Sequence, residues 1–186
     1  MSDSEKKSLL SKKNEEWLKK VNELLESISP KDAEKTRELT EQFLKGEITG
    51  AELQGISAEL LFEITEQAYL LFQRAKLHEA AIILTGLTLL DEKNAYYHTL
   101  LGAIFQKAGK LTEALAEYTL ALEIDPNDVT SCVNRGEIYY QCGVEDAALK
   151  DFEKAIALDP SEKDLWANRA RVLKKLLVKE MEEAKK

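Results

Sequence analysis

The sequence predicts an all-α protein built from helical hairpins that repeat along the chain. One pattern of small, aromatic and proline residues occurs twice between residues 95 and 160, 34 residues apart. Glycine and proline are scarce, with 8 and 3 in 186 residues, and no segment alternates apolar and polar residues as a half-buried strand would. These observations favour paired helices stacked into a solenoid.

Each mark of the repeated pattern has a physical reason. Where two helices cross closely, only a small residue lets the backbones approach, and an aromatic ring fills the space beside it. Proline ends the second helix because it cannot continue the hydrogen-bond ladder. The matched pairs are Gly102 and Gly136, Gly109 and Gly143, Ala114 and Ala148, Tyr118 and Phe152, Ala121 and Ala155, and Pro126 and Pro160. This spacing resembles the tetratricopeptide repeat, a helix–turn–helix unit.

The resemblance implies three tetratricopeptide repeats in a right-handed solenoid, at residues 61–94, 95–128 and 129–162. A helix at 163–183 would cap the solenoid end. We therefore expect a repeat domain at 51–186, preceded by an N-terminal helical extension at 1–50. The first repeat is degenerate, and its second helix, 79–90, is apolar almost all round. Such a helix needs cover on every side, so we expect the N-terminal helices or a second subunit to pack on it.

Amphipathic spacing marks the N-terminal extension. Apolar residues three, four and seven apart predict a helix at 9–28, and a second helix begins at Pro30. Their apolar stripes predict homodimerisation or, in a monomer, packing within one chain. The stripe residues are Leu10, Trp17, Val21, Leu24, Ile28, Leu39 and Phe43. Further along, Ser57 and Thr112 are predicted to cap helices of the first and second repeats.

Composition excludes several classes of function. The net charge of −8 argues against a nucleic-acid partner, because phosphate binding needs a basic face. The longest apolar run, 80–90, is too short for stable membrane insertion. The polar N-terminus lacks a signal peptide, so we expect a cytoplasmic protein. The two cysteines, Cys132 and Cys142, lie in one predicted helix and should be free thiols.

Catalytic and cofactor motifs are also missing from the sequence. His78 and His98 lie on different predicted elements, with no partner at metal-ligand spacing. No phosphate-binding glycine loop or nucleophile motif is present. We therefore expect no enzyme activity, no cofactor and no metal.

The first helix of each tetratricopeptide repeat lines a concave groove, which is the remaining candidate for a functional surface. Its large rings suit anchor pockets for an extended peptide, while the alternative is that some of them pack under the N-terminal region. By repeat position, the predicted groove residues are Phe62, Thr65, Glu66, Tyr69 and Phe72, then Tyr96, Thr99, Leu100, Ala103 and Gln106, and finally Val133, Asn134, Glu137 and Tyr140.

One known use of such grooves is to hold the acidic tail of heat-shock proteins in a clamp of lysine, asparagine and arginine. The corresponding positions of the first two repeats are Thr65, Tyr69 and Leu100, and only Asn134 and Asn168 match in part. The sequence therefore disfavours that function.

A stretch at the start of the repeats narrows the choice. It contains Gly46-Glu47-Ile48-Thr49, Gly55-Ile56-Ser57-Ala58-Glu59 and Gln67-Ala68-Tyr69, followed by Leu101-Gly102-Ala103 with Gln106. This stretch resembles the class II chaperones of bacterial type III secretion, which serve hydrophobic translocator proteins. The resemblance covers 46–162, and 46–107 is its most specific part.

The resemblance implies a non-enzymatic chaperone that binds an extended N-terminal segment of a translocator in its groove. The chaperone would keep the translocator soluble before secretion, and it would dimerise through its N-terminal helices. Two alternatives remain. The chain could be an adaptor that assembles a multiprotein complex, or residues 9–28 could lie on a membrane surface, although their polar face mixes Lys with Glu.

Overall fold

The computed structural model describes residues 30–184, and every regular element in that range is an α-helix. The predicted all-α repeat fold is therefore confirmed. In chain order the helices are α1 (Pro30–Leu44), α2 (Gly50–Leu53), α3 (Ala58–Gln73), α4 (Leu77–Leu90), α5 (Ala95–Lys107), α6 (Leu111–Ile124), α7 (Val129–Gln141), α8 (Glu145–Leu158) and α9 (Leu165–Glu183).

The chain divides into two compact units, Met1–Ile48 and Thr49–Lys186. The predicted boundary, between residues 50 and 51, lies two residues further along. The described part of the first unit is α1, which begins at Pro30. Leu39 is half-buried and Phe43 is 38% exposed. The other five residues of the predicted dimer stripe, Leu10, Trp17, Val21, Leu24 and Ile28, lie outside the described residues.

A capping box opens the second unit. The Thr49 hydroxyl accepts a hydrogen bond from the Glu52 backbone N–H at 3.2 Å, and the Glu52 carboxylate accepts one from the Thr49 N–H at 2.7 Å. The short helix α2 packs on the end of α4. A Cβ added at Gly50 would lie 3.3 Å from the carbonyl oxygens of Leu89 and Leu90, so glycine permits this close approach.

Three helix pairs then follow, α3 with α4, α5 with α6, and α7 with α8. The first helices of neighbouring repeats touch one another, and each second helix also packs on the next first helix. In the second pair the two helices cross closely at Gly102, because its missing side chain leaves room for the fully buried ring of Tyr118. Gly136 and Phe152 make the same crossing in the third pair.

The turn between the two helices of a repeat requires one residue in the left-handed backbone conformation. Gly109 and Gly143 adopt this conformation with φ of 75° and 71°, and it costs glycine little. The first repeat has Ala75 at the same place, with φ of 58°. Its N–H still donates to the Phe72 carbonyl at 3.0 Å. The degenerate repeat therefore keeps the turn but with a residue that disfavours it.

Helix α9 closes the solenoid and packs on both α7 and α8. Its N-cap is Asp164, which accepts a hydrogen bond from the Ala167 N–H at 2.9 Å. Ala167, Ala170 and Leu177 are buried on its inner side. The end of the array is thus covered by a helix with small residues at the contact, as a capping helix requires.

Candidate functional site

The open part of the predicted groove lies on α3 and α5. Phe62 is 65% exposed and Tyr96 is 49% exposed, and Glu66 is also exposed. Large apolar rings that face water on one side of a repeat array can anchor a partner. These three side chains are the most accessible of the predicted groove residues.

A second pair of rings continues this surface. Tyr69 and Phe72 are half-buried, and their centroids lie 6.4 Å apart at an interplanar angle of 40°. The Lys107 ammonium lies over the Phe72 ring, 4.9 Å from its centroid, within the range of a cation–π contact. Along α3, the exposed ring of Phe62 is therefore followed by the ring of Phe72, which the Lys107 ammonium covers.

A cavity of about 360 Å³ opens between α3 and the start of α5. Leu61 and Tyr97 are buried, while Phe62 and Tyr96 stand exposed. Its size and mostly apolar lining suit one large side chain of a bound peptide. The lining residues are Ala58, Leu61, Phe62, Thr65, Glu66, Asp91, Asn94, Tyr96 and Tyr97.

Electrostatics around the cavity are set by burial and by nearby acidic groups. Burial raises the pKa of Tyr96, and the neighbouring Tyr69 and Glu66 raise it further. Burial likewise raises the pKa of Tyr97, partly offset by hydrogen bonds to Thr65 and Asn94. Both hydroxyls stay protonated at neutral pH, so the cavity offers hydrogen-bond donors beside its apolar lining.

Several predicted groove residues are instead used to hold the helices. Thr65 is buried, and its hydroxyl donates to the Leu61 carbonyl at 2.7 Å. The Thr99 hydroxyl is 2.6 Å from an Asp128 carboxylate oxygen and 3.0 Å from the Ser131 hydroxyl, which ties α5 to the start of α7. Leu100 is 5% exposed. These side chains give little surface to a ligand.

The middle of α5 is half-buried. Ala103 and Gln106 both have intermediate exposure. The Gln106 side-chain oxygen accepts a hydrogen bond from the Tyr118 hydroxyl at 2.8 Å. The Gln106 amide is therefore fixed in orientation by the second helix of its own repeat.

Helix α9 covers much of the third repeat's share of the groove. Val133 and Asn134 are buried. Glu137 is also buried, and both of its carboxylate oxygens accept hydrogen bonds from the Arg169 guanidinium. The repeat positions did not indicate this ion pair, because they do not say which side chain of the capping helix reaches back.

Tyr140 at the far end of α7 is also tied to α9. Its hydroxyl donates to the Glu180 carboxylate at 2.8 Å, and this hydrogen bond raises the pKa of Tyr140. The accessible groove is consequently concentrated on the first two repeats.

The structure also adds residues that sequence reasoning missed. Five residues line the cavity but fall outside the predicted groove positions, namely Ala58, Leu61, Asp91, Asn94 and Tyr97. Asp91 occupies the same repeat position as Asp125 and Asp159, so the repeat pattern does not set it apart. Its carboxylate accepts a hydrogen bond from the Asn94 amide at 3.3 Å.

Within residues 30–184, no group of His, Cys, Asp and Glu side chains has the arrangement of a metal site. His98 pairs with Glu117 at 2.8 Å in an internal contact between α5 and α6. No helix in this range is both long and apolar enough to span a bilayer.

Comparisons with known proteins agree with this geometry. A TPR-repeat family model matches residues 105–143, and a tetratricopeptide-repeat model matches 129–162. A type III secretion complex from Aeromonas hydrophila superposes with a TM-score of 0.71 at 24% identity, covering 77% of this chain and 97% of that one. PcrH from Pseudomonas aeruginosa superposes with a TM-score of 0.62 at 27% identity, covering 66% and 94%. The chain has the fold of a class II secretion chaperone.

A third structure of this class is SycD, the type III secretion translocator chaperone of Yersinia enterocolitica. It superposes with a TM-score of 0.66 at 21% identity, covering 69% of this chain and 98% of SycD. Comparison with curated proteins by sequence alone found no significant match. The resemblance of the sequence to the class II chaperones is thus confirmed, and these superpositions cover 66–77% of the chain rather than a short motif.

Proposed function

We propose that this protein is a type III secretion chaperone that holds an extended segment of a hydrophobic translocator protein in the groove of its repeats. The observation that carries the proposal is the cavity on α3 and α5, where the exposed rings of Phe62 and Tyr96 flank an apolar space. Such a groove binds a peptide by burying a few of its apolar side chains, and this binding needs no catalytic group. The role is non-enzymatic, in the bacterial cytoplasm before secretion.

The solved relatives support this proposal. PcrH is known in complex with the chaperone-binding regions of PopD and of PopB. SycD is known in complex with a peptide of the translocator YopD. Because this chain shares their fold, a translocator segment is the partner we assign to its groove. The net charge of −8 suits this role, since charge keeps a complex with an apolar client in solution.

Homodimerisation is part of the same proposal. SycD has been solved in an alternative dimer. In this chain the Ile82 and Leu89 side chains of α4 are 58% and 79% exposed. An exposed apolar face of this kind is expected where a helix packs on another subunit or segment. We infer that the apolar stripes of the N-terminal extension and of α4 supply the dimer contacts.

Replacing groove rings tests client binding. We expect Tyr96→Ala with Tyr69→Ala to weaken binding of a translocator encoded beside this protein by about tenfold to a hundredfold per anchor, because each buried ring contributes about 1.5–3 kcal/mol. Co-purification from cells that express both proteins measures the loss. Leu120→Ala is the matched control, since Leu120 is 42% exposed on the second helix α6.

Two results would decide the matter. Loss of the translocator from the double variant, with unchanged circular dichroism and with binding kept by the control, supports the groove. Undiminished co-purification of the double variant would contradict it, and would direct attention to an adaptor that uses another face.

A further inference from the structure

The cavity at the first repeat has a strongly one-sided charge. Two of its lining residues are acidic, Glu66 and Asp91, and no lining residue of the described chain is basic. The rest of the lining is apolar, aromatic or an uncharged polar side chain. The cavity therefore combines an apolar interior with negative charge at its edge.

Glu66 differs from the other acidic residue predicted in the groove. Glu137 is neutralised by the two hydrogen bonds from Arg169. Glu66 is exposed, and within residues 30–184 no hydrogen bond or ion pair joins its carboxylate to another side chain. Its negative charge does reach its surroundings, since it contributes to the raised pKa of Tyr96.

Asp91 adds a second negative charge to the cavity lining. It ends α4 and is half-buried, and its carboxylate accepts a hydrogen bond from the Asn94 amide at 3.3 Å. An amide hydrogen bond leaves the net charge in place. Two carboxylates thus face one space from α3 and from the end of α4.

A positive charge lies at the other end of α5, about three turns from Tyr96. Lys107 ends α5 and sits over the Phe72 ring rather than near the cavity lining. An acidic group on a bound peptide would be repelled at the cavity and attracted only past it. A basic group would be attracted at the cavity itself.

We propose that this cavity selects a client segment that carries a lysine or arginine directly beside its apolar anchor, with the cation held by Glu66 and Asp91. The inference rests on the proposed function, since it concerns the same groove. The apolar side chain enters between Phe62 and Tyr96, and the long alkyl part of the basic residue lies along the rings while its charge reaches the carboxylates. Charge complementarity fixes the register of the peptide, whereas the anchor supplies most of the affinity.

A synthetic peptide library tests the charge preference. The probes are fluorescein-labelled ten-residue peptides with a central leucine and one neighbour fixed as Lys, Arg, Gln or Glu, all other positions being mixed. We expect the Lys and Arg pools to bind about twofold to fivefold more tightly than the Glu pool, a range typical of a partly exposed ion pair. Fluorescence polarisation measures the affinities, and 0.5 M salt should reduce the difference.

A charge reversal assigns the preference to the cavity. Glu66→Lys should abolish it, because the new positive charge offsets the negative charge of Asp91, so that the Lys and Glu pools bind about equally. Glu113→Lys is the matched control, because it makes the same charge change at an exposed position in the first turn of α6. This control variant should keep the preference for Lys, which separates a local effect from attraction of cations to an acidic protein.

The outcomes are distinguishable. Equal binding of the Lys and Glu pools to the unmodified protein overturns the inference and leaves peptide binding by the groove intact. A loss of the preference in Glu113→Lys as large as that in Glu66→Lys also overturns it. Absence of binding by any pool overturns the inference and counts against the proposed function as well.

Discussion

The helix crossing at Gly102 gives a stability prediction that follows directly from distances. A Cβ added there would lie 2.6, 2.7 and 2.9 Å from three ring atoms of Tyr118. The ring cannot simply move aside, because it is fully buried and its hydroxyl is hydrogen-bonded to Gln106. Gly102→Ala should therefore force the two helices of the second repeat apart.

Two effects of opposite sign decide the magnitude. Overpacking a tight core costs about 1–3 kcal/mol, and contacts this short belong in the upper part of that range. Alanine in place of glycine inside a helix returns about 1 kcal/mol. We expect Gly102→Ala to lower the free energy of unfolding by about 1–2 kcal/mol, or by several degrees in Tm for a chain of this size.

Gly86 provides a matched control. It lies in the middle of α4, it is exposed, and a Cβ there would meet no atom within 4 Å. Gly86→Ala should raise the free energy of unfolding by about 0.5–1 kcal/mol through helix propensity alone. Urea titrations followed by circular dichroism compare the two variants. If Gly102→Ala proved as stable as Gly86→Ala, the reasoning about the crossing would be refuted.

Two further predictions concern the third repeat. Arg135 donates two hydrogen bonds of 2.8 Å to the buried Asp151 carboxylate. A double-mutant cycle with Arg135→Ala and Asp151→Ala should therefore give a coupling energy of about 1.5–3 kcal/mol in urea unfolding. Strictly additive effects of the two substitutions would show that the pair is not coupled. Burial raises the pKa of Cys132 to about 11, whereas Cys142 is exposed. Iodoacetamide at pH 8 should therefore modify Cys142 alone in the folded protein, as read by peptide mass spectrometry, and equal labelling of both thiols would be inconsistent with the packing of α7.

Repeat periodicity predicts the fold well because the contacts that define it recur at fixed offsets. Gly102 and Tyr118, or Gly136 and Phe152, lie 16 residues apart and meet inside one hairpin. The predicted helix cap at Ser57 likewise depends only on residues close in sequence. The structure confirms it, because the Ser57 hydroxyl accepts a 3.2 Å hydrogen bond from the Leu60 N–H.

Features that depend on neighbouring side chains are harder to predict. The pattern predicts Thr112 as a helix cap, and this is wrong: the helix begins at Leu111, and Lys110 at its N-cap makes no side-chain hydrogen bond. The pattern also assigns Val133 and Glu137 to a groove, but it does not show that α9 and its Arg169 lie over that region. Contacts of this kind depend on how far each side chain reaches, which a repeat position does not encode.

The candidate site was predicted in part for the same reason. The exposed positions of Phe62, Glu66 and Tyr96 follow from their place on the first helices of their repeats. Asp91 and Tyr97 could not be assigned in this way, because Asp91 lies in the connection after α4, outside the first helices, and the repeat position of Tyr97 does not show that its buried ring borders a cavity. The binding role of all of these residues stays a prediction.

Site-specific photocrosslinking tests the central proposal most directly. A photoreactive phenylalanine analogue placed at Tyr96, in cells that also express the neighbouring translocator, should crosslink to a short segment near the N-terminus of that translocator. The same analogue at Leu120, which is exposed on α6, should not. Crosslinks to the translocator that form at Leu120 and are absent at Tyr96 would contradict a client held in the groove of the first two repeats.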